Sequence, residues 1–170
     1  YTRHYPISGI SRIRRGKTSV TIMHKGNSRW VALQHGEAVI NAVRFASAFF
    51  GKGQFMPSEF EQRDDGYFFR QELNGVYYQP LKDPEFLPVE NEDWGRVKYR
   101  REKSEQCQLI YEGRIRETSQ GFEVTIDARG TEGVPLAVEI NLRGGGEVSG
   151  VAPVPGIGDA FLLNDGFAGY

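Results

Sequence analysis

Hydrophobic and polar residues alternate in two segments in the second half of the chain. From 122 to 127 the apolar side chains fall on every second residue, and the same alternation runs from Leu136 to Arg143. A period of two is typical of strands that bury one face. The connection between the segments contains glycine, so we predict an antiparallel hairpin in which Leu136, Val138 and Ile140 face the interior. One hairpin cannot bury a face alone, which requires further strands and a second layer.

Similar short patterns predict strands along most of the chain. The segment 37–50 is compatible with a helix, but its β-branched and aromatic residues favour a long buried strand. Segment 51–65 is predicted to begin as a strand and to become a loop that ends in a turn at Asp65-Gly66, and Asn74-Gly75 is predicted to be a two-residue hairpin turn. The other predicted strands are 8–17, 18–23, 29–34, 67–73, 76–79, 94–101, 106–116 and 161–163.

About ten strands joined mostly by tight turns indicate an all-β protein, a two-layer antiparallel β-sandwich that allows one short helix. The segment 80–93 contains three prolines and is predicted to be a long surface connection, and 151–158 is predicted to be a loop. We predict a single domain over 1–170. Because the sequence begins at Tyr1 and stops just after a turn, we expect this domain to be a piece of a larger protein.

Composition narrows the function only by exclusion. The formal net charge of −1 argues against a nucleic-acid partner, which would require a distinctly basic protein. No apolar run is long enough to predict a membrane span. The single cysteine, Cys107, cannot form an internal disulfide, so it leaves the compartment undetermined.

Recognised catalytic and metal motifs are absent from the sequence. The three histidines, His4, His24 and His35, do not have the spacing of metal ligands, and no serine lies in a nucleophile elbow. The run 144–146 lacks the lysine and hydroxyl residue that a phosphate-binding loop requires. We therefore predict no cofactor, with a structural divalent metal as the alternative.

Two basic stripes are the best candidates for ligand contact. Arg12 and Arg14 would lie on one face of the first strand, and Arg96, Lys98 and Arg100 on one face of the strand 94–101. Forked guanidinium groups suit carboxylates and sulfates, and nearby aromatic residues such as Tyr99 could stack on sugar rings. The alternative is a solvated face whose arginines pair with acidic neighbours across strands, such as Glu123 and Glu139.

The opening His4-Tyr5-Pro6-Ile7-Ser8-Gly9-Ile10, followed by Arg14-Arg15-Gly16, resembles the start of the β-sandwich domain of heparinase II/III-like polysaccharide lyases. The run RFASAFFGKGQF at 44–55 and the glycine-punctuated ending to Gly166 add to this resemblance, which covers most of the chain. It implies a galactose-mutarotase-like supersandwich that follows an α/α toroid domain in the same parent chain. It also implies a periplasmic or extracellular location.

In such lyases an acidic polysaccharide lies between toroid and sandwich and is cleaved by β-elimination, with a base for the C5 proton and an acid for the leaving oxygen. The resemblance does not supply catalytic residues in this chain. Some members bind a structural metal through a His/Asp/His set, but Ile7 stands where an acidic residue would make the opening more lyase-like. The substrate contacts proposed from the sequence are His4, Arg12, Arg14, Arg96, Lys98, Tyr99 and Arg100.

Three functional hypotheses follow from these observations. The first is a carbohydrate-associated domain that contributes to an acidic-polysaccharide groove and is not catalytic alone. The second is a self-contained lyase, and the third is a structural module that packs against a partner domain or subunit. The third predicts a contiguous apolar patch on one sheet face and no cluster of polar residues in a pocket.

Overall fold

The computed structural model describes residues 1–80, 95 and 98–170. Regular structure in this part of the chain is almost entirely β, and a short 3-10 helix at Lys98–Arg100 precedes β8. The strands are β1 Thr2–Tyr5, β2 Ile10–Arg15, β3 Thr18–Met23, β4 Val31–His35, β5 Ala38–Ser47, β6 Glu59–Arg63, β7 Gly66–Tyr78, β8 Lys103–Glu117, β9 Phe122–Gly130, β10 Leu136–Leu142, β11 Val151–Pro153 and β12 Phe161–Leu163.

The first sheet has six strands in the order β1-β2-β3-β4-β5-β10. From β1 to β5 each strand pairs antiparallel with the next one in sequence. Alternating residues of β2 and β3 are buried, among them Ile13, Val20 and Ile22. The residues between them are more exposed, as expected for a sheet that covers a core with one face.

The second sheet has four antiparallel strands in the order β6-β7-β8-β9. Its longest pairing joins β7 to β8, from Tyr67 opposite Ile115 to Tyr78 opposite Lys103. A separate two-stranded sheet pairs β11 with β12. Together these sheets confirm the all-β, antiparallel class, and two large sheets are what a sandwich requires.

The chain forms two compact units. The first consists of Tyr1–Met23, Arg29–Arg44 and Glu139–Tyr170, and the second of His24–Ser28 and Phe45–Val138. The first unit buries Ile13, Val20, Ile22, Trp30, Val31, Val39 and Ala42. The second buries a core rich in aromatic rings: Phe45, Phe49, Phe55, Tyr67, Phe69, Cys107, Leu109, Tyr111 and Ile115.

Tyr111 packs against two other aromatic rings in the second core. Its ring meets those of Phe45 and Phe55 edge-on, with centroids 5.1 and 5.7 Å away, a favourable geometry for aromatic pairs. Its hydroxyl donates to the carbonyl oxygen of Gly53 at 3.2 Å, so the one polar atom of the side chain is satisfied in the interior. Burial raises the pKa of this hydroxyl.

Several predicted strands are confirmed. The ambiguous segment 37–50 contains strand β5, Ala38–Ser47, and no helix. Segment 106–116 lies within β8, and β9 alternates between half-buried apolar and exposed polar residues. A hairpin turn is confirmed at this place but one residue earlier than predicted at Asp65-Gly66: Asp64 and Asp65 form it, and Gly66 already pairs with Arg63 in the strands.

The predicted hairpin of the two alternating segments is wrong. β9 pairs with β8 in the second sheet, whereas β10 lies beside β5 in the first. The prediction that Leu136, Val138 and Ile140 are buried is wrong as well, since they are 47%, 59% and 57% exposed. Alternation fixes which side chains share a face of the strand, but it does not say whether either face is covered.

The predicted turn at Asn74-Gly75 is also wrong, because β7 runs straight through both residues. Gly75 lies opposite Cys107, and a Cβ atom on it would lie 2.0 Å from Cδ2 of Phe50. The glycine is therefore required by the close approach of an aromatic ring, which is another role of glycine inside a strand.

Three shorter segments also differ from prediction. Glu59–Arg63 was expected to be a loop and is strand β6, and Val151–Pro153 was expected to be a loop and is strand β11. Lys98–Arg100 was expected to be part of a strand and is a 3-10 helix. The connection predicted at 81–93, Trp94 and Arg96 lie outside the described residues.

Candidate functional site

Strands β1 and β2 place a set of basic and aromatic side chains on one face of the first sheet. Arg3 lies directly opposite Arg12, and Tyr5 lies opposite Ile10. Arg14 is joined to Tyr1 by two backbone hydrogen bonds of 2.8 Å, one in each direction. Since side chains two residues apart share a face, these residues form one surface. We call it the basic face and define it as Tyr1, Arg3, Tyr5, Arg12 and Arg14.

Among the described residues, the arginines of the basic face have no acidic partners. Within the part of the chain that the structure describes, no carboxylate forms an ion pair with Arg3, Arg12 or Arg14. The Arg12 Nη2 atom makes only a long hydrogen bond to Ser19 Oγ, 3.4 Å, and the Arg3 guanidinium lies over the Tyr5 ring at 5.2 Å from its centroid. Like charges directly opposite each other destabilise a strand pair, so this arrangement costs stability unless an anion binds there.

The structure brings together only part of the predicted site. Arg12 and Arg14 share the basic face, as predicted. His4 does not, because it lies opposite Ser11 on the other face of β1 and β2 and its Nδ1 is 2.7 Å from Ser11 Oγ. The sequence analysis missed Arg3, which alternation from Thr2 to Tyr5 would have placed beside Arg12 had this short segment been recognised as a strand.

Lys98, Tyr99 and Arg100 belong to the second unit. The prediction that they lie on a strand, with Lys98 and Arg100 on one face, is wrong because the backbone is a 3-10 helix there. Tyr99 is 67% exposed, and the Lys98 Nζ atom is 4.9 Å from the centroid of its ring. The segment thus presents exposed cationic and aromatic groups, while Arg96 lies outside the described residues.

On the exposed face of the second sheet, in contrast to the basic face, Arg70 and Arg129 form ion pairs with carboxylates. Arg70 is 2.9 Å from carboxylate oxygens of both Glu59 and Glu72 and 3.8 Å from Glu112. Arg129 donates to both carboxylate oxygens of Glu112, at 2.7 and 3.2 Å. We call these five residues, Glu59, Arg70, Glu72, Glu112 and Arg129, the paired face.

The ion pairs of the paired face shift the titration of their members. The hydrogen bond from Arg129 holds the pKa of Glu112 below its ordinary value, although desolvation opposes this shift. The carboxylates of Glu59 and Glu72 raise the pKa of Arg70. The acidic residues named in the alternative interpretation also pair elsewhere, Glu123 with Arg116 and Glu139 with Arg44.

The histidines occupy separate environments. Thr18 Oγ1 is 2.7 Å from His35 Nδ1, and the His24 ring stacks on Phe60 with centroids 3.9 Å apart. Over residues 1–80, 95 and 98–170, no group of three or more His, Cys, Asp or Glu side chains is arranged to hold a metal ion. The same residues include no helix of the length and apolar character needed to cross a membrane.

No family model, no curated protein and no solved structure matches this chain. The resemblance to heparinase II/III-like proteins therefore stays a prediction from the residues that carry it. Function has to be argued from the geometry of the basic face.

Proposed function

We propose that this chain is a carbohydrate-associated β domain that binds an acidic polysaccharide on its basic face and is not catalytic alone. The observation that carries the proposal is the direct opposition of Arg3 and Arg12, with Arg14 on the same face and no carboxylate paired with any of them in the described residues. Positive charge held together without neutralisation is what an anionic ligand would use.

The spacing of the arginines suits an extended polymer rather than a compact ion. Arg12 and Arg14 are two residues apart on one strand, about 7 Å, and Arg3 is on the neighbouring strand, about 5 Å away. A polysaccharide that carries a carboxylate or sulfate on successive sugars could therefore meet more than one guanidinium group. Each contact would be a charge-assisted hydrogen bond of fixed geometry.

The tyrosines of the basic face supply a second kind of contact. Tyr1 is 67% exposed and Tyr5 is 38% exposed. Aromatic rings that combine an apolar face with a polar edge can pack against the apolar side of a sugar ring. This supports a glycan over an acidic peptide, which would need the arginines but not the rings.

The wider setting of the proposal comes from the family resemblance. We infer a parent protein similar to a polysaccharide lyase, with an α/α toroid domain as partner and a periplasmic or extracellular location. Lys98, Tyr99 and Arg100 stay candidate contacts in the second unit. His4 is the weakest candidate, because it lies on the other face of the strand pair.

Isothermal titration calorimetry with three hexasaccharides tests the proposal: one of uronic acids, one sulfated and one neutral of similar length. We expect the two anionic ligands to bind and the neutral one to bind at least tenfold more weakly. Equal affinity for all three, or no binding to any, would refute the proposal. A parallel absorbance assay for unsaturated uronates tests the self-contained lyase, for which activity is the required result.

A second candidate function, a packing module, is favoured by one observation. β10 ends the strand order of the first sheet and exposes the apolar side chains of Leu136, Val138 and Ile140. An edge strand with an apolar face can pair with the same strand of another copy of the chain. Sedimentation velocity of the chain and of Val138→Lys decides this: a dimer that dissociates in the variant supports it, and a monomer in both excludes it.

A further inference from the structure

The second unit contains a pocket that the proposed function does not use. Its volume is about 370 Å³, and it lies over strands β7, β8 and β9 and the turn before β7. The residues that line it are Arg63, Asp65, Tyr67, Phe68, Arg114, Ile115, Arg116, Glu123 and Thr125. This volume is at the small end of the range of ligand sites, and it is suited to a single ring rather than to a polymer.

Two of the three arginines in the pocket are already neutralised. Arg63 pairs with Glu61 at 2.7 Å, and Arg116 pairs with Glu123 through a short hydrogen bond. Arg114 differs from both, because no carboxylate forms an ion pair with it in the described ranges, and its side chain is exposed. The pocket thus offers one guanidinium group for a ligand anion.

Phe68 lies beside this guanidinium group. Phe68 and Arg114 are cross-strand partners, and the Arg114 Cζ atom is 6.0 Å from the centroid of the Phe68 ring. The Arg63 Cζ atom lies over the same ring at 4.0 Å. The cation–π contact is close for Arg63 and at the outer limit of distance for Arg114, so the ring attracts both guanidinium groups but holds Arg63 more strongly.

The next strand adds a hydroxyl group and an acidic group. Thr125 is the cross-strand partner of Arg114, and Glu123 is the partner of Arg116. The Thr125 hydroxyl can donate to an anion held by Arg114, whereas Glu123 and Asp65 can accept hydrogen bonds from ligand hydroxyls. The two carboxylates also disfavour a multiply charged ligand by repulsion.

We propose that this pocket binds one small polyhydroxylated carboxylate, the size of a single sugar acid. The ligand carboxylate would accept hydrogen bonds from the Arg114 guanidinium group and from the Thr125 hydroxyl. The ligand hydroxyls would donate hydrogen bonds to the carboxylates of Glu123 and Asp65. This combination of one anionic group with several hydroxyls uses four polar side chains of the lining, while Arg63 and Arg116 stay paired with protein carboxylates. The site lies in the second unit and does not rest on the function proposed for the basic face.

Nuclear magnetic resonance titration of the full chain with glucuronate, glucose and inorganic phosphate tests the proposal. We expect glucuronate to shift the amide signals of Phe68, Arg114 and Thr125 with a dissociation constant of about 1 mM, typical of a ligand of this size. Glucose, which lacks the carboxylate, and phosphate, which lacks the hydroxyls, should each bind at least tenfold more weakly. Phosphate binding as tight as glucuronate would overturn the proposal.

Substitutions separate this site from the basic face. Arg114→Gln should weaken the binding of glucuronate at least tenfold, and Thr125→Val should weaken its binding severalfold. Arg129→Gln removes an arginine of the same sheet outside the pocket and should have no effect, and Arg12→Gln with Arg14→Gln should also have none. Unchanged affinity in Arg114→Gln would refute the pocket, whereas loss only in the Arg12/Arg14 variant would assign glucuronate to the basic face instead.

Discussion

Arginines lie on the exposed faces of both large sheets. Those of the paired face form ion pairs with carboxylates, whereas those of the basic face form none with the described residues. Both arginines of the paired face, Arg70 and Arg129, have at least one carboxylate within 4 Å, and Arg70 has three. Arg114, which shares this side of the second sheet, is the exception, since it has no ion pair in the described residues. On the basic face Arg3 and Arg12 are cross-strand partners, with Arg14 beside them, and no carboxylate of the described residues is paired with them. The same residue type is thus used for cross-strand pairing on one face and left available on the other.

This difference suggests where ligand binding is to be sought. A sheet that only needs solubility would intersperse both signs of charge, as the paired face does. Opposed arginines that pair with no carboxylate of the described residues break that rule, and departures from local rules are expected at functional sites. The comparison therefore supports the basic face, and not basic residues in general, as the candidate for polyanion binding.

The largest expected effect is on ligand affinity. The double substitution of Arg12→Gln and Arg14→Gln should weaken the binding of a uronic-acid hexasaccharide by about 100-fold or more, because each charge-assisted contact is worth about 1.5–3 kcal/mol. Arg129→Gln is the matched control, since it removes a guanidinium group of the paired face. Calorimetric titration measures both variants, and equal losses in the two would contradict the comparison.

The second expected effect is on salt dependence. Raising NaCl from 50 to 200 mM should weaken the binding of the hexasaccharide by about tenfold, because three arginines would replace counterions on the polyanion. The Arg12/Arg14 variant should lose most of this dependence. A ligand that binds with the same affinity at both salt concentrations would show that the arginines do not contact it.

The third prediction concerns acid stability and the paired face. The pKa of Glu112 is lowered in the folded protein, so its ion pair stabilises the fold above the ordinary pKa of the carboxyl group. That stabilisation is lost as the pH falls through the lowered pKa. Arg129→Gln should reduce the fall in stability on acidification, while Arg12→Gln should leave it unchanged. Urea unfolding from neutral to acidic pH measures this, and identical profiles for all three proteins would contradict it.

The smallest expected effect is on stability at neutral pH. Arg12→Gln should change the free energy of unfolding by less than about 0.5 kcal/mol, as is usual for an exposed side chain that makes only one long hydrogen bond. Removing the charge opposite Arg3 should stabilise rather than destabilise. Arg116→Gln should destabilise instead, because it breaks the pair with Glu123. Thermal unfolding in low salt compares them, and a clear loss in Arg12→Gln would mean that this residue has a structural role.

The sequence was sufficient for the fold class and for two of the five residues of the basic face, Arg12 and Arg14. Alternation identified β9 and placed Arg12 and Arg14 together, because a period of two depends only on local backbone geometry. It could not assign β10 to a sheet, since strand pairing depends on residues far away in the chain. Asn74-Gly75 misled for a related reason: the local turn preference was overridden by the packing of Phe50 on Gly75.

The site was harder to predict than the fold. Arg3 is in a strand of four residues, which is too short for an alternation of polar and apolar residues to identify it. It belongs to the basic face because it lies opposite Arg12 on the neighbouring strand. His4 and Arg12 are eight positions apart in the sequence but on opposite faces, which only the strand register reveals. The pocket around Arg114 was missed because its residues come from separate strands and from a turn.

Nuclear magnetic resonance titration of the full chain with an acidic hexasaccharide, read at each backbone amide, locates the binding site. Binding at the basic face predicts that the largest chemical-shift changes upon saturation occur in β1 to β3, at Arg3, Arg12, Arg14 and their neighbours. The amide signals of Arg70 and Arg129 should move little. If the ligand binds while the signals of β1 to β3 stay unmoved, the basic face is not the binding site.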